Sequence, residues 1–136
     1  MPAKHDAKSI FTPGANEALV RYLVQDLDRS ITFYAQRLGF RLTQKAGPVV
    51  ILTRGNLHLL LSGPESSGAR PLPDGRRQSP GGWNRIVLYV EDLDATIAAL
   101  KGATFRNDVE SGPGGRQIQV EDPDGNPIEL HEAPRS

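Results

Sequence analysis

The 136-residue chain contains no cysteine, which excludes disulfide bridges, thiolate nucleophiles and cysteine metal sites. Its 16 basic and 16 acidic residues give a formal net charge of zero, which argues against a nucleic-acid partner. No apolar run approaches the ~20 residues that a membrane-spanning helix needs. Residues 1–17 lack the apolar core of a signal peptide and are expected to form a tail. These absences predict a cytoplasmic protein that contacts neither membrane nor nucleic acid.

What the chain does contain is an internal repeat. Residues 19–31 align with residues 85–97, and the triplet Asp-Leu-Asp coincides in the two copies. In each copy a β-branched and aromatic run predicts a buried strand. An aspartate after each strand, Asp26 or Asp92, is placed to cap a following helix. The two helices are expected to end at Gly39 and Gly102.

Three further strands are predicted after each helix, with glycine, proline and asparagine at the turns between them. The expected fold class is therefore α+β, with two tandem βαβββ modules in a single domain. Module one covers residues 18–62 and module two covers residues 84–132. The loop at residues 63–83 is either a functional lid or a flexible linker. The predicted strands are Phe40–Gln44, Val49–Thr53 and Leu57–Ser62, then Thr104–Asp108, Arg116–Val120 and Pro127–His131.

Several motifs of the chain resemble those of the vicinal oxygen chelate superfamily. They are Asp26-Leu27-Asp28, Phe33-Tyr34, Leu38-Gly39-Phe40 and, as the most specific, Asp-Pro-Asp-Gly-Asn-Pro-Ile-Glu-Leu at residues 122–130. That superfamily contains glyoxalase I, extradiol dioxygenases, fosfomycin-resistance enzymes and bleomycin-binding proteins. The resemblance implies that the two mixed sheets curl around a shared cavity, with the helices outside. It also implies a homodimer.

Catalytic members of this superfamily usually hold a divalent metal, and the resemblance identifies where its ligands would lie. The first-strand positions fall on Leu19 and Arg85, and neither side chain binds a cation. Among the last-strand positions, only Glu129 matches. The sequence therefore predicts a degenerate metal site and no cofactor. One alternative stays open, in which His58 and His131 join Glu129 and rebuild a metal site.

Arg85 is expected to contact Glu129, because the resemblance makes the first and last strands of a module neighbours. A guanidinium in that position can neutralise the carboxylate and still donate to an anionic ligand. In the alternative interpretation, the two charges only compensate each other in a filled core. Strand alternation predicts that Arg21 and Tyr89 also face the cavity.

The expected function is small-molecule binding by a glyoxalase-like or bleomycin-resistance-like protein, with binding or modest transformation of a small polar or anionic ligand. Two alternatives remain, a metal-dependent lyase, isomerase or dioxygenase and a non-enzymatic interaction module. Trp83 is either a rim of the pocket or a packing anchor. The candidate catalytic residues are Glu129 and Tyr89, and the candidate ligand-binding residues are Arg21, Arg85, His58, His131 and Trp83.

Overall fold

The computed structural model describes residues 14–135, so most of the tail predicted at residues 1–17 lies outside the described residues. The chain divides into two compact units, of which the first ends at Ser79 and the second begins at Pro80. No helix within residues 14–135 is long and apolar enough to cross a membrane.

The first unit contains a four-stranded mixed sheet and one helical segment. Strand β1 (Val20–Leu23) leads into helix α1 (Leu27–Thr32). Three antiparallel strands follow, and the last of them pairs parallel to β1, which gives the strand order β1-β4-β3-β2. These strands are β2 (Arg41–Ala46), β3 (Val49–Arg54) and β4 (Leu57–Ser62).

The second unit repeats this topology. Its first strand, β5, again pairs parallel to its last strand, β9, and the sheet order is β5-β9-β8-β6 with β7 also paired to β8. The prediction of two βαβββ modules of class α+β is confirmed. The elements are β5 (Ile86–Tyr89), α2 (Leu93–Ala99), β6 (Thr104–Phe105), β7 (Glu110–Gly112), β8 (Gly115–Glu121) and β9 (Pro127–Glu132).

Both helices begin at the predicted capping aspartates. The Oδ1 atom of Asp26 accepts a hydrogen bond from the Arg29 N–H at 3.1 Å, and that of Asp92 accepts from the Ala95 N–H at 3.0 Å. Each carboxylate satisfies an amide that has no partner within its own helix. The Asp-Leu-Asp repeat thus marks two helix starts.

The predicted single α-helix up to Leu38 is wrong in detail. Helix α1 ends at Thr32, and Phe33–Arg37 forms a π-helical turn. The wider turn lets Phe33 and its neighbour Tyr34 both be buried, with 7% and 0% exposure. Both helical segments still end before glycines in the left-handed region, Gly39 at φ 76° and Gly102 at φ 91°.

The predicted strand at residues 104–108 is also wrong in its length. It ends at Phe105, because the next two residues bind β8 in another way. The Arg106 N–H donates to the Gln119 carbonyl at 2.9 Å, and the Asn107 side chain accepts from the Gln119 N–H at 2.9 Å. The Asn107 side chain thus takes the place of a backbone acceptor in the pairing with β8. Regular pairing with β8 resumes at strand β7, which the sequence pattern had not predicted.

Alternation along the strands gives the second sheet one apolar face, on which α2 lies against β9. Leu93 and Leu100 of the helical segment are fully buried. Burying one such leucine side chain contributes about 1.5–3 kcal/mol. The strand residues of this face are Ile86, Leu88, Ile118, Val120, Ile128 and Leu130.

Candidate functional site

The opposite face of the second sheet carries the charged residues and is here called the polar face. In the strand register Val87 lies beside Glu129 and Tyr89 beside His131. This agrees with the predicted alternation in β5, whose Ile86 and Leu88 are buried while Val87 and Tyr89 are exposed. The polar face consists of Arg85, Val87, Tyr89, Gln117, Gln119, Glu121, Glu129 and His131.

Arg85, directly before β5, forms an ion pair with Glu129 of β9 on this face. The Nε and Nη2 atoms of Arg85 each lie 3.0 Å from Oε1 of Glu129, which confirms the predicted contact. The Nη1 atom donates to the Trp83 carbonyl at 3.3 Å. These contacts use three of the five guanidinium N–H groups. Because the Arg85 side chain is 29% exposed, the remaining two are available to a ligand.

His131 binds the second oxygen of the same carboxylate. Its Nδ1 lies 2.9 Å from Oε2 of Glu129, and its Nε2 lies 2.8 Å from the Gly114 carbonyl oxygen. The carboxylate and the carbonyl can only accept hydrogen bonds. The imidazole ring can therefore donate to both of them only when both of its nitrogens carry protons. The hydrogen bond to Glu129, followed by that to Gly114, raises the pKa of His131 above its ordinary value. The Tyr89 ring lies 4.8 Å from the imidazole ring, centroid to centroid.

Two glutamines of β8 border the ion pair. With its amide nitrogen facing the carboxylate, Gln117 donates to Oε1 and Oε2 of Glu129 at 3.1 and 3.0 Å. Gln119 lies directly opposite Glu129 in the register. Its buried Oε1 has no hydrogen-bond partner among the described residues. The carboxylate of Glu129 is thus fully bonded, whereas a polar acceptor beside it is not.

These residues do not fit the divalent metal that the family resemblance implies. Arg85 brings a permanent positive charge to an expected ligand position. Both carboxylate oxygens of Glu129 and both ring nitrogens of His131 already take part in hydrogen bonds within the chain. Within residues 14–135, no group of three or more His, Cys, Asp or Glu side chains is arranged to hold a metal ion.

His58 lies in the first unit, on β4, where its ring is bonded to the hydroxyl group of Thr53. Its Nδ1 is 3.1 Å from Oγ1 of Thr53, which is 3.2 Å from Oγ1 of Thr43. The structure brings Glu129 and His131 together in the second unit, whereas His58 belongs to the first unit. Its role in ligand binding stays a prediction.

Arg21 also belongs to the first unit, where its guanidinium lies against Gly68. A Cβ atom at Gly68 would overlap Arg21. The guanidinium can therefore lie this close to the backbone only because residue 68 is a glycine. In the register Leu60 lies beside Arg21, as Glu129 lies beside Val87 in the second sheet. Leu60 thus occupies the position that corresponds to Glu129. Because leucine carries no charge, the first sheet has no counterpart of the ion pair between Arg85 and Glu129. A ligand-binding role for Arg21 stays a prediction.

Trp83 is 76% exposed, so the packing-anchor interpretation of this residue is wrong. The guanidinium carbon of Arg106 lies 5.1 Å from the indole centroid, a cation–π distance. Arg106 itself binds Glu121 at 2.9 Å and the carbonyls of Gly82 and Gly125 at 2.7 and 2.9 Å. Sequence reasoning missed Arg106, since two of these three partners are backbone atoms that no side-chain pattern identifies.

The fold defines a class, namely proteins with two βαβββ modules in tandem. A family model agrees with the fold. The chain belongs to the Glyoxalase/Bleomycin resistance protein/Dioxygenase superfamily, whose model matches residues 18–130. A search of curated proteins found no match.

Solved structures with the same fold include proteins of several described functions. A superfamily member from Sphaerobacter thermophilus is 29% identical, with TM-score 0.65 and coverage of 85% of this chain and 97% of the other. TnmS3, an antibiotic-binding protein from Streptomyces, is 25% identical, with TM-score 0.63 and coverages of 90% and 100%. Lactoylglutathione lyase from Agrobacterium tumefaciens is 22% identical, with TM-score 0.66 and coverages of 89% and 96%. At this identity the likeness supports a shared fold only.

Proposed function

We propose that this protein binds a small anionic molecule on the polar face of the second sheet, with Arg85 as the group that binds the ligand's oxygen atoms. One observation carries the proposal. Arg85 is held in place by Glu129 and by the Trp83 carbonyl, yet it remains partly exposed and keeps two N–H groups for another acceptor. A fixed guanidinium with spare donors matches the geometry of a carboxylate or phosphonate.

The charges around Arg85 support an anion. Glu129 neutralises one positive charge, and a doubly protonated His131 adds another, so the three groups together are positive by one unit when the imidazole is protonated. The Gln117 side chain also faces these three groups with its NH2 group, a hydrogen-bond donor, and not with its carbonyl oxygen. An anionic ligand would balance the excess charge.

Binding is better supported than catalysis. Both oxygens of Glu129 accept hydrogen bonds from Arg85, His131 and Gln117, so a proton transfer through this carboxylate must first break one of them. Tyr89 is 61% exposed with its ring against His131, a position suited to contact with a ligand. The antibiotic-binding function of the similar protein TnmS3 is consistent with a binding role.

Isothermal titration calorimetry of the whole chain with cyclohexanecarboxylate and cyclohexylphosphonate tests this proposal. We expect saturable binding that Arg85→Met abolishes and that the neutral cyclohexanecarboxamide does not reproduce. Arg77→Gln removes one exposed arginine of the first unit and is the matched control for lost positive charge. Anion binding of equal strength in the wild-type and Arg85→Met proteins would contradict the proposal, as would the absence of binding into the millimolar range.

A second candidate function, a protein-interaction module, is favoured by the exposed apolar side chains of the same face. Val87, Tyr89 and Trp83 are exposed by 44%, 61% and 76%. Contiguous exposed apolar groups often mark contact surfaces. Burial of these side chains in a stable complex, with no anion bound, would favour this second function.

A further inference from the structure

We propose that the ligand of this site is a planar aromatic anion, whose ring stacks on Trp83 while its oxyanion binds Arg85. The inference rests on the proposed function and extends it from an anion to a defined chemical class. It depends on three observations, namely the exposure of Trp83, the rigid support behind its indole and the position of both residues on one face of the sheet.

The indole of Trp83 is a large apolar surface left open to solvent. It is 76% exposed, whereas the Arg106 guanidinium lies over one side of the ring at 5.1 Å from its centroid. An aromatic surface that is supported on one side and open on the other is suited to stack a second planar group.

The support behind the indole is held by several bonds. Arg106 donates to the Glu121 carboxylate and to the carbonyls of Gly82 and Gly125, all within 2.9 Å. The Gly81 N–H donates to the Asn126 side chain at 2.8 Å, which fixes the chain just before Trp83. A ring held in this way loses little further freedom when a ligand binds, and this lowers the entropic cost of binding.

Trp83 and Arg85 lie at the same end of the same face. On β8, Glu121 points to the polar face, since Gln119 pairs with Glu129 and strand residues alternate. Arg106 binds Glu121 and covers the indole, so the indole belongs to that face as well. The strands β5 and β8 are separated by β9, which places them about 10 Å apart. The Nη1 atom of Arg85 lies 3.3 Å from the Trp83 carbonyl, so a ligand of one or two fused rings with a terminal carboxylate is of a size to contact both residues.

The test compares 2-naphthoate with decahydro-2-naphthoate, which has the same carbon skeleton and charge but no aromatic ring. By calorimetry on the whole chain, we expect 2-naphthoate to bind at least about fivefold more tightly, the strength of one aromatic stacking contact. Trp83→Leu should reduce this preference to below about twofold, and Trp83→Phe should keep most of it. Leu72→Ala, another exposed apolar residue, is the matched control.

The two proposals fail in different ways. If both carboxylates bind equally and depend on Arg85 but not on Trp83, the aromatic class is overturned while anion binding stands. If neither carboxylate binds, or if Arg85→Met leaves both affinities unchanged, the proposed function is overturned as well. NMR of the Trp83 indole gives a second readout, since stacking of 2-naphthoate shifts its ring protons upfield and decahydro-2-naphthoate does not. Burial of Trp83 in a self-associated form, without ligand, would also overturn the inference.

Discussion

The carboxylate of Glu129 joins two side chains, with Oε1 at 3.0 Å from the Arg85 guanidinium and Oε2 at 2.9 Å from Nδ1 of His131. The family resemblance implies that catalytic members of this superfamily have a metal ligand at the position that Arg85 occupies here. The guanidinium here supplies the positive charge that the neighbouring glutamate requires.

The coupling between Arg85 and Glu129 can be measured in a double-mutant cycle. Glu129→Gln leaves the guanidinium with a weaker partner and should lower the free energy of unfolding, whereas Arg85→Met combined with Glu129→Leu should recover much of the loss. The coupling energy is expected at about 1–3 kcal/mol, as for groups in direct contact. Urea denaturation followed by circular dichroism measures it. Additive effects of the single substitutions would show that the pair is not coupled.

The pKa of His131 should lie above 6.5, because its ring donates to Glu129 and to the Gly114 carbonyl. A folded-state pKa above the unfolded value contributes stability below about pH 6.5, and that contribution is lost as the pH rises through the folded pKa. Titration of the ring protons by NMR gives the value directly. Glu129→Gln should lower it, whereas His58→Asn should leave it unchanged. A His131 pKa at or below 6.5 in the wild-type protein would contradict the geometry.

Glu132 should stabilise the start of α2. Its Oε2 accepts from the Leu93 N–H at 2.8 Å and its Oε1 from Arg116 at 3.1 Å, and these bonds lower the pKa of Glu132. Stability from this group is present above pH 4.5 and is lost as the pH falls through the folded pKa. Glu132→Gln should therefore lower the urea midpoint at pH 7, with a smaller effect at acidic pH. The exposed Glu110→Gln is the control.

Removal of Arg106 should loosen Trp83. Arg106→Gln eliminates both the cation–π contact and the bonds to the Gly82 and Gly125 carbonyls. Because Trp83 is the sole tryptophan of the chain, time-resolved fluorescence anisotropy reports its mobility without labelling. We expect a larger fast component of depolarisation in Arg106→Gln and no change in Arg77→Gln. Unchanged anisotropy would mean that Arg106 does not hold the indole.

The chain is predicted to form a homodimer. Each sheet has strands that pair on one side only, β1 and β2 in the first sheet and β5, β6 and β7 in the second, and such edges favour association. Light scattering after size exclusion should give twice the 14.8 kDa of a single chain. A mass of one chain across the micromolar range would contradict this prediction and leave the fold unchanged.

Much of the fold was decided locally and could be read from the sequence. The carboxylates at Asp26 and Asp92 cap their helices through bonds to residues only three positions away, and glycines end both segments. Buried and exposed residues alternate along β5, as the strand pattern predicts, with Ile86 and Leu88 buried and Val87 and Tyr89 exposed. Signals of this kind involve near neighbours, whose geometry follows from helix and strand periods.

The details of the site were decided by contacts between distant residues. The Arg85 and Glu129 contact was accessible in advance only because the family resemblance supplied the pairing of first and last strands. The pKa of His131 is raised by Glu129 first and then by the Gly114 carbonyl, 17 positions away, and the indole of Trp83 lies against Arg106. Backbone carbonyls look alike at every residue, so only the tertiary structure determines which of them meets a given side chain.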